Sequence, residues 1–172
     1  MSETGEAKIF KGMLAGAVGG LVASWTMNEF QKAWAAAEKQ ITGGKKGQEG
    51  QHSGEDAEDA TMKAADRISE LVQGRRLTRE EKKKAGPVVH YAFGAIMGAV
   101  YGASVEVNPA ANALAGVPFG AILFAAVDEV ALPVLGLSDK PAAYPLSTHL
   151  YGLVSHAVYG ATTETVRKMV RG

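Results

Sequence analysis

Asp128 and Glu129 are neighbouring carboxylates in a stretch, Ala85 to Ser138, where Glu106 is the only other charged residue. His90, His149 and His156 stand in equally charge-poor surroundings. A carboxylate beside an imidazole can hold and release a proton or another cation, with the imidazole tuning the acid. The same groups could instead satisfy one another and do no more than fix the register of packed helices. A metal or haem site would draw on His90, His149 or His156 together with the carboxylates. His149 and His156, seven residues apart, share nearly one helix face, but no H-x-x-x-H or other metal-type spacing occurs. No metal or cofactor is therefore expected.

No nucleophile elbow, phosphate loop or metalloprotease motif is present. Ser147-Thr148-His149 superficially suggests a hydrolase, yet Ser and Thr following Pro145 suit a helix start. The chain has no cysteine, which excludes thiolate nucleophiles, thiolate metal sites and disulfides. Its 18 Lys+Arg balance 18 Asp+Glu, so no basic excess points to nucleic acid. No catalytic residue is assigned, and the chain is not expected to be an enzyme.

The elements that hold these groups are written in where the charges are missing. Residues 12–28, 85–105, 107–127 and 141–163 contain no Asp, Glu, Lys or Arg, in a chain that is 21% charged. About 20 predominantly apolar residues suffice for a helix to cross a bilayer. A soluble helix of that length carries a polar stripe, and here Gly, Ala, Ser and Thr stand where Lys and Glu would be. The pattern predicts an all-α integral membrane four-helix bundle, a single membrane domain over 1–172. Its spans fall at about 9–36, 87–107, 113–137 and 145–167. The first span is read as retained, because its apolar stretch runs from Ile9 past Trp25, longer than a typical signal-peptide core, and no A-x-A site with a following mature start stands out. Trp34 marks its far interface.

The hydrophilic connector, 38–86, carries eleven Lys/Arg and ten Asp/Glu. Gly43, Gly44, Gly47, Gly50 and Gly54 make residues 42–55 a flexible linker. From Asp56 to Val72, Ala60, Ala64, Ile68, Leu71 and Val72 recur at helical spacing. They predict an amphipathic helix lying on the membrane or on the bundle, or else a solvated connector. Gly86-Pro87 is expected to close this region, with Pro87 in the first turn of span two.

The chain also repeats itself. Ala99-Val100-Tyr101-Gly102-Ala103-Ser104-Val105-Glu106 matches Ala157-Val158-Tyr159-Gly160-Ala161-Thr162-Thr163-Glu164 at an offset of 58, six of eight positions being identical. At an offset of 100, Gly16, Gly20, Asn28 and Glu29 fall on Gly116, Gly120, Asp128 and Glu129. A duplicated helical hairpin, with the connector inserted in the first copy, accounts for both offsets. The two tandem repeats are then parallel, related by an axis along the membrane normal. Small residues recur at four-residue steps: Gly16, Gly20; Gly94, Gly98, Gly102; Gly116, Gly120; with Gly152 and Gly160 eight apart. In lipid such stripes let backbones approach, either between the helices of one chain or between copies in a glycine zipper.

At Ala85-Gly86-Pro87-Val88-Val89-His90-Tyr91-Ala92-Phe93-Gly94, at Asp128-Glu129, and at Tyr144-Pro145-Leu146-Ser147-Thr148-His149-Leu150-Tyr151-Gly152, the chain resembles the YagU-like family. These are small bacterial inner-membrane proteins with a domain of unknown function. The resemblance covers 9–37 and about 57–170. It implies a multi-span protein of the bacterial inner membrane and supplies no catalytic residues.

On the predicted spans, Asp128-Glu129 lies about 8–9 residues from the end of span three, some 12–14 Å deep. His156 sits at a comparable depth in span four, so Asp128 or Glu129 with His156 is the expected buried acid–imidazole pair. Asn28 and Glu29 are the first-copy counterparts. His90 and His149 enter spans two and four from the same face, nearer the surface. Glu164, near the opposite face, can pair with Arg167 or Lys168 at i+3 and i+4. The function expected is movement of a small ion or solute through a polar-lined bundle. The alternative is a non-transporting scaffold or accessory subunit. The bilayer is the expected partner, with a homo-oligomer or a larger membrane complex left open.

Overall fold

The structure, a computed structural model, describes residues 4–41 and 58–172. The predicted linker over 42–55 lies outside the described residues. Among them every regular element is helical: α1 (Gly5–Ile41), α2 (Ala60–Gln73), α3 (Arg79–Val107), α4 (Val117–Ala126), α5 (Leu132–Val134) and α6 (Leu146–Arg171). A π-helical stretch, Val127–Ala131, joins α4 to α5.

Three stretches, Gly5–Ile41, Arg79–Val107 and Pro109–Val134, are long and apolar enough to cross a membrane. α6 is as long, at 26 residues, but it is outside that group. Ser147, Thr148, His149, Ser155, His156, Thr162 and Thr163 lower its hydropathy. The outer faces are apolar: Leu14, Val18, Leu21 and Trp25 on α1, Ile96 and Val100 on α3, Ile122 on α4 and Leu150 on α6 are all exposed. Small and polar side chains occupy the inside, among them Ala15, Ala23, Ser24, Ser155 and Thr163. That is the distribution a lipid environment favours, and an exposed apolar surface this extensive is foreign to a soluble monomer.

Glycine decides how the helices meet. A Cβ at Gly16 would collide with the Gly98 carbonyl, one at Gly20 with the Gly94 carbonyl, and one at Gly102 with the Gly12 carbonyl. α1 and α3 therefore run antiparallel with their backbones in contact. The same happens between α4 and α6, where a Cβ at Gly116 would strike the Gly160 carbonyl and one at Gly120 the His156 carbonyl. α1 also packs on α6, with Gly19 against the backbone of Thr163. Gly152 differs: a side chain there would meet the Phe124 ring.

α3 and α4 do not meet in this way. Side chains hold them apart, Tyr101 stacking on Phe119 with centroids 4.6 Å apart and Phe119 facing Tyr159 at 6.5 Å. Ala23, Met27, Leu123 and Tyr159 form the buried apolar centre, with Met97, Phe119 and Val127 around it. The Tyr159 hydroxyl donates to the Gly94 carbonyl of α3 at 2.6 Å, tying α6 across the gap.

One expectation about boundaries needs correction. Helix α3 starts at Arg79, eight residues before Pro87, so Gly86-Pro87 does not close the connector. Thr78 and Glu81 form a capping box that initiates the helix earlier. Pro87 thus lies inside α3, where the Lys83 carbonyl loses its usual donor. The amphipathic connector helix is α2, capped by Asp59 and ended by left-handed Gly74. It buries Met62, Ala65, Asp66 and Ser69 towards α3, while Ile68, Leu71 and Val72 stay exposed. The Asp66 carboxylate accepts from Leu77 N–H at 2.8 Å and pairs with Lys82 at 3.0 Å. The backbone donor first, then the lysine, holds its carboxyl below the usual range.

Candidate functional site

The gap between α3 and α4 is a cavity of about 590 Å³. Met27, Leu123 and Tyr159 belong to its lining; Met97, Phe119 and Tyr101 lie towards the helix ends that carry Glu106 and Glu164. On the other side it reaches the end where α2 lies, and Ala60, Thr61, Ala64 and Ile68 of α2 contribute to its wall.

The carboxylates reach this cavity because helix α4 changes pitch beneath them. Pro133 has no N–H to donate to the Glu129 carbonyl, and its ring crowds that carbonyl. The chain answers with a π-turn, in which Leu132 N–H bonds to the Val127 carbonyl. Asp128 and Glu129 sit within that turn, a deformation that recurs at functional sites. Sequence reasoning missed it, although Pro133 four residues after Glu129 was its signal.

Two acid–imidazole couples result. His149 Nδ1 is 2.7 Å from Glu129 Oε1, and its Nε2 is 3.1 Å from the Pro141 carbonyl oxygen. The Pro141 carbonyl can only accept, which puts a proton on Nε2, and the contact with Glu129 is satisfied by a proton on either Nδ1 or the carboxyl. His156 is buried, and its Nδ1 lies 2.9 Å from the Gly152 carbonyl, the geometry of a donor. Asp128 Oδ2 stands 3.8 Å from the same nitrogen, too far for a hydrogen bond. The Phe124 ring packs on His156 at 5.6 Å.

The sequence-predicted residues are thus partly brought together. Asp128 approaches His156, while Glu129 takes His149, the residue expected nearer the surface. His90 lines the same cavity from α3, its ring edge-on to Tyr91 at 5.6 Å. Asn28 is there too, its amide donating to the Tyr91 hydroxyl at 3.4 Å. Glu29 does not join them: it is exposed and pairs with Lys32 at 2.7 Å. The expected grouping of Glu29 with the acidic cluster is corrected by one helical step, which turns it to the outside of α1. Gln31, unremarked in the sequence, and Tyr151 also line the cavity.

At the far end, Glu164 bonds Arg167 at 2.6 and 3.0 Å and Lys168 at 3.2 Å, and Glu106 pairs with Arg171 at 2.7 Å. Glu164 is only 1% exposed. The Arg171–Glu106 pair joins the end of α6 to that of α3, the Glu164 pairs lie within α6, and none of these residues belongs to the lining of the cavity.

A sequence model of an uncharacterised family, described as protein of unknown function (DUF1440), matches residues 73–165. The match takes in α3, α4 and most of α6, and so includes Asp128, Glu129 and all three cavity histidines. No curated protein and no solved structure matches the chain.

Proposed function

The chain belongs to the DUF1440 family of proteins of unknown function, and from its own residues we propose that it moves a small ion or solute across a membrane. In this reading α6 is a fourth span, and two tandem parallel hairpins, α1–α3 and α4–α6, make the bundle. The packing supports the duplication: corresponding glycines, Gly16 and Gly102 in one hairpin and Gly116 and Gly160 in the other, line both seams, with the facing carbonyl shifted by one turn, Gly98 against Gly16 but Gly160 against Gly116. The resemblance to the YagU-like family supports a bacterial inner membrane as the location in this reading, with the protein acting alone, as a homo-oligomer or within a larger complex. No enzymatic step is part of the proposal.

The observation that carries it is the pair of acid–imidazole couples beside a cavity that reaches one end of the helices and stops at an aromatic barrier. A carrier caught open to one side has this form. Ionisable groups inside membrane helices are costly and usually line a path or a cavity. The test is flux in proteoliposomes across a panel of ions and small solutes. Asp128→Leu and Glu129→Leu should each abolish flux while leaving insertion intact. Full flux in both variants across pH would end the transport reading.

A scaffold role has one observation in its favour. His149 is engaged at both nitrogens, as a group that merely fixes the register of α6 against the Pro141 turn would be. On that reading the same variants lower thermal stability in detergent, and the unmodified protein carries no flux.

A further inference from the structure

We propose that the cavity between α3 and α4 binds an uncharged, mainly apolar molecule that carries a hydroxyl. The hydroxyl lies on His156 Nε2, and the apolar body lies against Phe93, Phe124 and Leu132. The inference deepens the transport reading by naming a substrate class; it rests on that reading for the purpose of binding, though not for binding itself. The charges of the lining are spent within the protein. Glu129 is bonded to His149, and the couple is net neutral wherever its proton sits. Asp128, beside His156, is engaged as well, and Asp59 caps α2 by accepting from Met62 N–H at 2.7 Å. No Lys or Arg contributes to the lining. A cation would have to compete with the imidazoles, and an anion would face carboxylates with no Lys or Arg to receive it. An uncharged molecule meets neither cost. The rest of the wall is mainly apolar and aromatic, and about 590 Å³ is the size of sites that enclose whole organic molecules.

His156 supplies the polar point of the site. Its Nδ1 is committed to the Gly152 carbonyl at 2.9 Å. The residue is 9% exposed and belongs to the lining, and among the described residues nothing bonds to its Nε2. That nitrogen is not sealed within protein, so it is presented to the open space that the residue borders. In the neutral ring Nε2 accepts and a ligand must donate; in the imidazolium it donates and a ligand must accept. A hydroxyl does both, whereas a carbonyl or an ether matches only the second state. Access follows from the asymmetry of the bundle. α1 packs tightly on α6, but the α3–α4 seam that would correspond to it under the duplication is propped open by Tyr101, Phe119 and Tyr159. Ile68, Phe93 and Leu135 belong to the lining and are themselves exposed, which gives the cavity an apolar rim. A lipophile dissolved in the bilayer can cross that rim without parting the glycine-packed contacts.

Four probes share one aromatic body and differ in donor and charge: 2-naphthol, its methyl ether, 2-naphthylmethylammonium and 2-naphthoate. Equilibrium dialysis at neutral pH, with the full-length protein in detergent and protein-free micelles as reference, should show saturable binding of naphthol. The ether should bind more weakly by on the order of tenfold, the loss of one hydrogen bond to a desolvated nitrogen. Neither charged probe should saturate. His156→Phe should bring naphthol down to the affinity of the ether. Ala64→Phe on α2, which narrows the cavity and leaves His156 in place, should weaken both. Glu29→Gln, outside the cavity, should change nothing. Equal binding of naphthol and ether to the unmodified protein would mean a void that takes any apolar chain, and would overturn the proposal. Tighter binding of either charged probe, or full naphthol affinity in the His156 or Ala64 variant, would overturn it too. Naphthol binding without any proteoliposome flux would uphold this site and sink the transport reading. Ion flux without naphthol binding would do the reverse.

Discussion

Glu164 and Arg167 show what a charge does when it is buried for packing and not for chemistry. Both are nearly inaccessible, bonded to each other one turn apart on α6, with Tyr101 of α3 alongside. Removing one partner of a buried pair leaves the other charged and uncompensated, at about 3–5 kcal/mol, whereas replacing both by apolar groups is often neutral. Glu164→Leu alone, which leaves buried Arg167 without its carboxylate, should therefore lower the melting temperature in detergent sharply, and Glu164→Leu/Arg167→Met should recover most of the loss. A double variant as unstable as the single one would mean that the hydrogen bonds themselves hold the helix ends. The i+3 and i+4 spacing made this pairing readable in the sequence. The Glu129–His149 couple was not readable in the same way, because its partners are 20 residues apart and meet only through the π-turn before Pro133.

The helices themselves were largely foreseen, because missing charge and recurring glycine are properties of composition and spacing. Their ends were not. A capping box at Thr78 outweighs the helix-starting preference of Pro87, and α2 turns Leu71 and Val72 outward while burying Asp66 and Ser69. An apolar count along a helix cannot tell a face that packs on protein from one that faces lipid, since both are apolar or small. Contact between helix backbones separates the two, and it predicts which glycines matter. Gly102→Ala and Gly160→Ala place a methyl group against a carbonyl oxygen of the facing helix, so each pair of helices must part. Each substitution should cost at least the roughly 1–3 kcal/mol typical of overpacking. Gly5→Ala, with open space around it, should cost nothing measurable. Unchanged melting temperatures for Gly102→Ala and Gly160→Ala would show that the small-residue stripes face lipid.

The proposed four-span protein places both chain ends on one side of the membrane and the connector, with the cavity mouth, on the other. The ends of α1 and α6 on the first side contribute Lys8, Lys11, Arg167, Lys168 and Arg171. Pairing does not separate the two sides: Arg167 and Lys168 bond Glu164 and Arg171 bonds Glu106 here, while Arg75, Arg76, Lys82 and Lys83 bond carboxylates at the other end. On the second side Arg75, Arg76, Arg79, Lys82, Lys83 and Lys84 gather just before the apolar part of α3. Cations within about 15–20 residues of a span are held back in the cytoplasm. Lys8 and Lys11 pull the other way, since the first span often dominates orientation, but six against two favours a cytoplasmic connector and periplasmic termini. The cavity would then open towards the cytoplasm. A reporter that functions only in the cytoplasm should work when inserted near Gly47 and fail when fused to the C-terminus. Activity of the C-terminal fusion alone would invert the topology. Activity at both positions would mean that α6, whose hydropathy is too low for the membrane-crossing group, does not span and that the transport path as drawn does not exist.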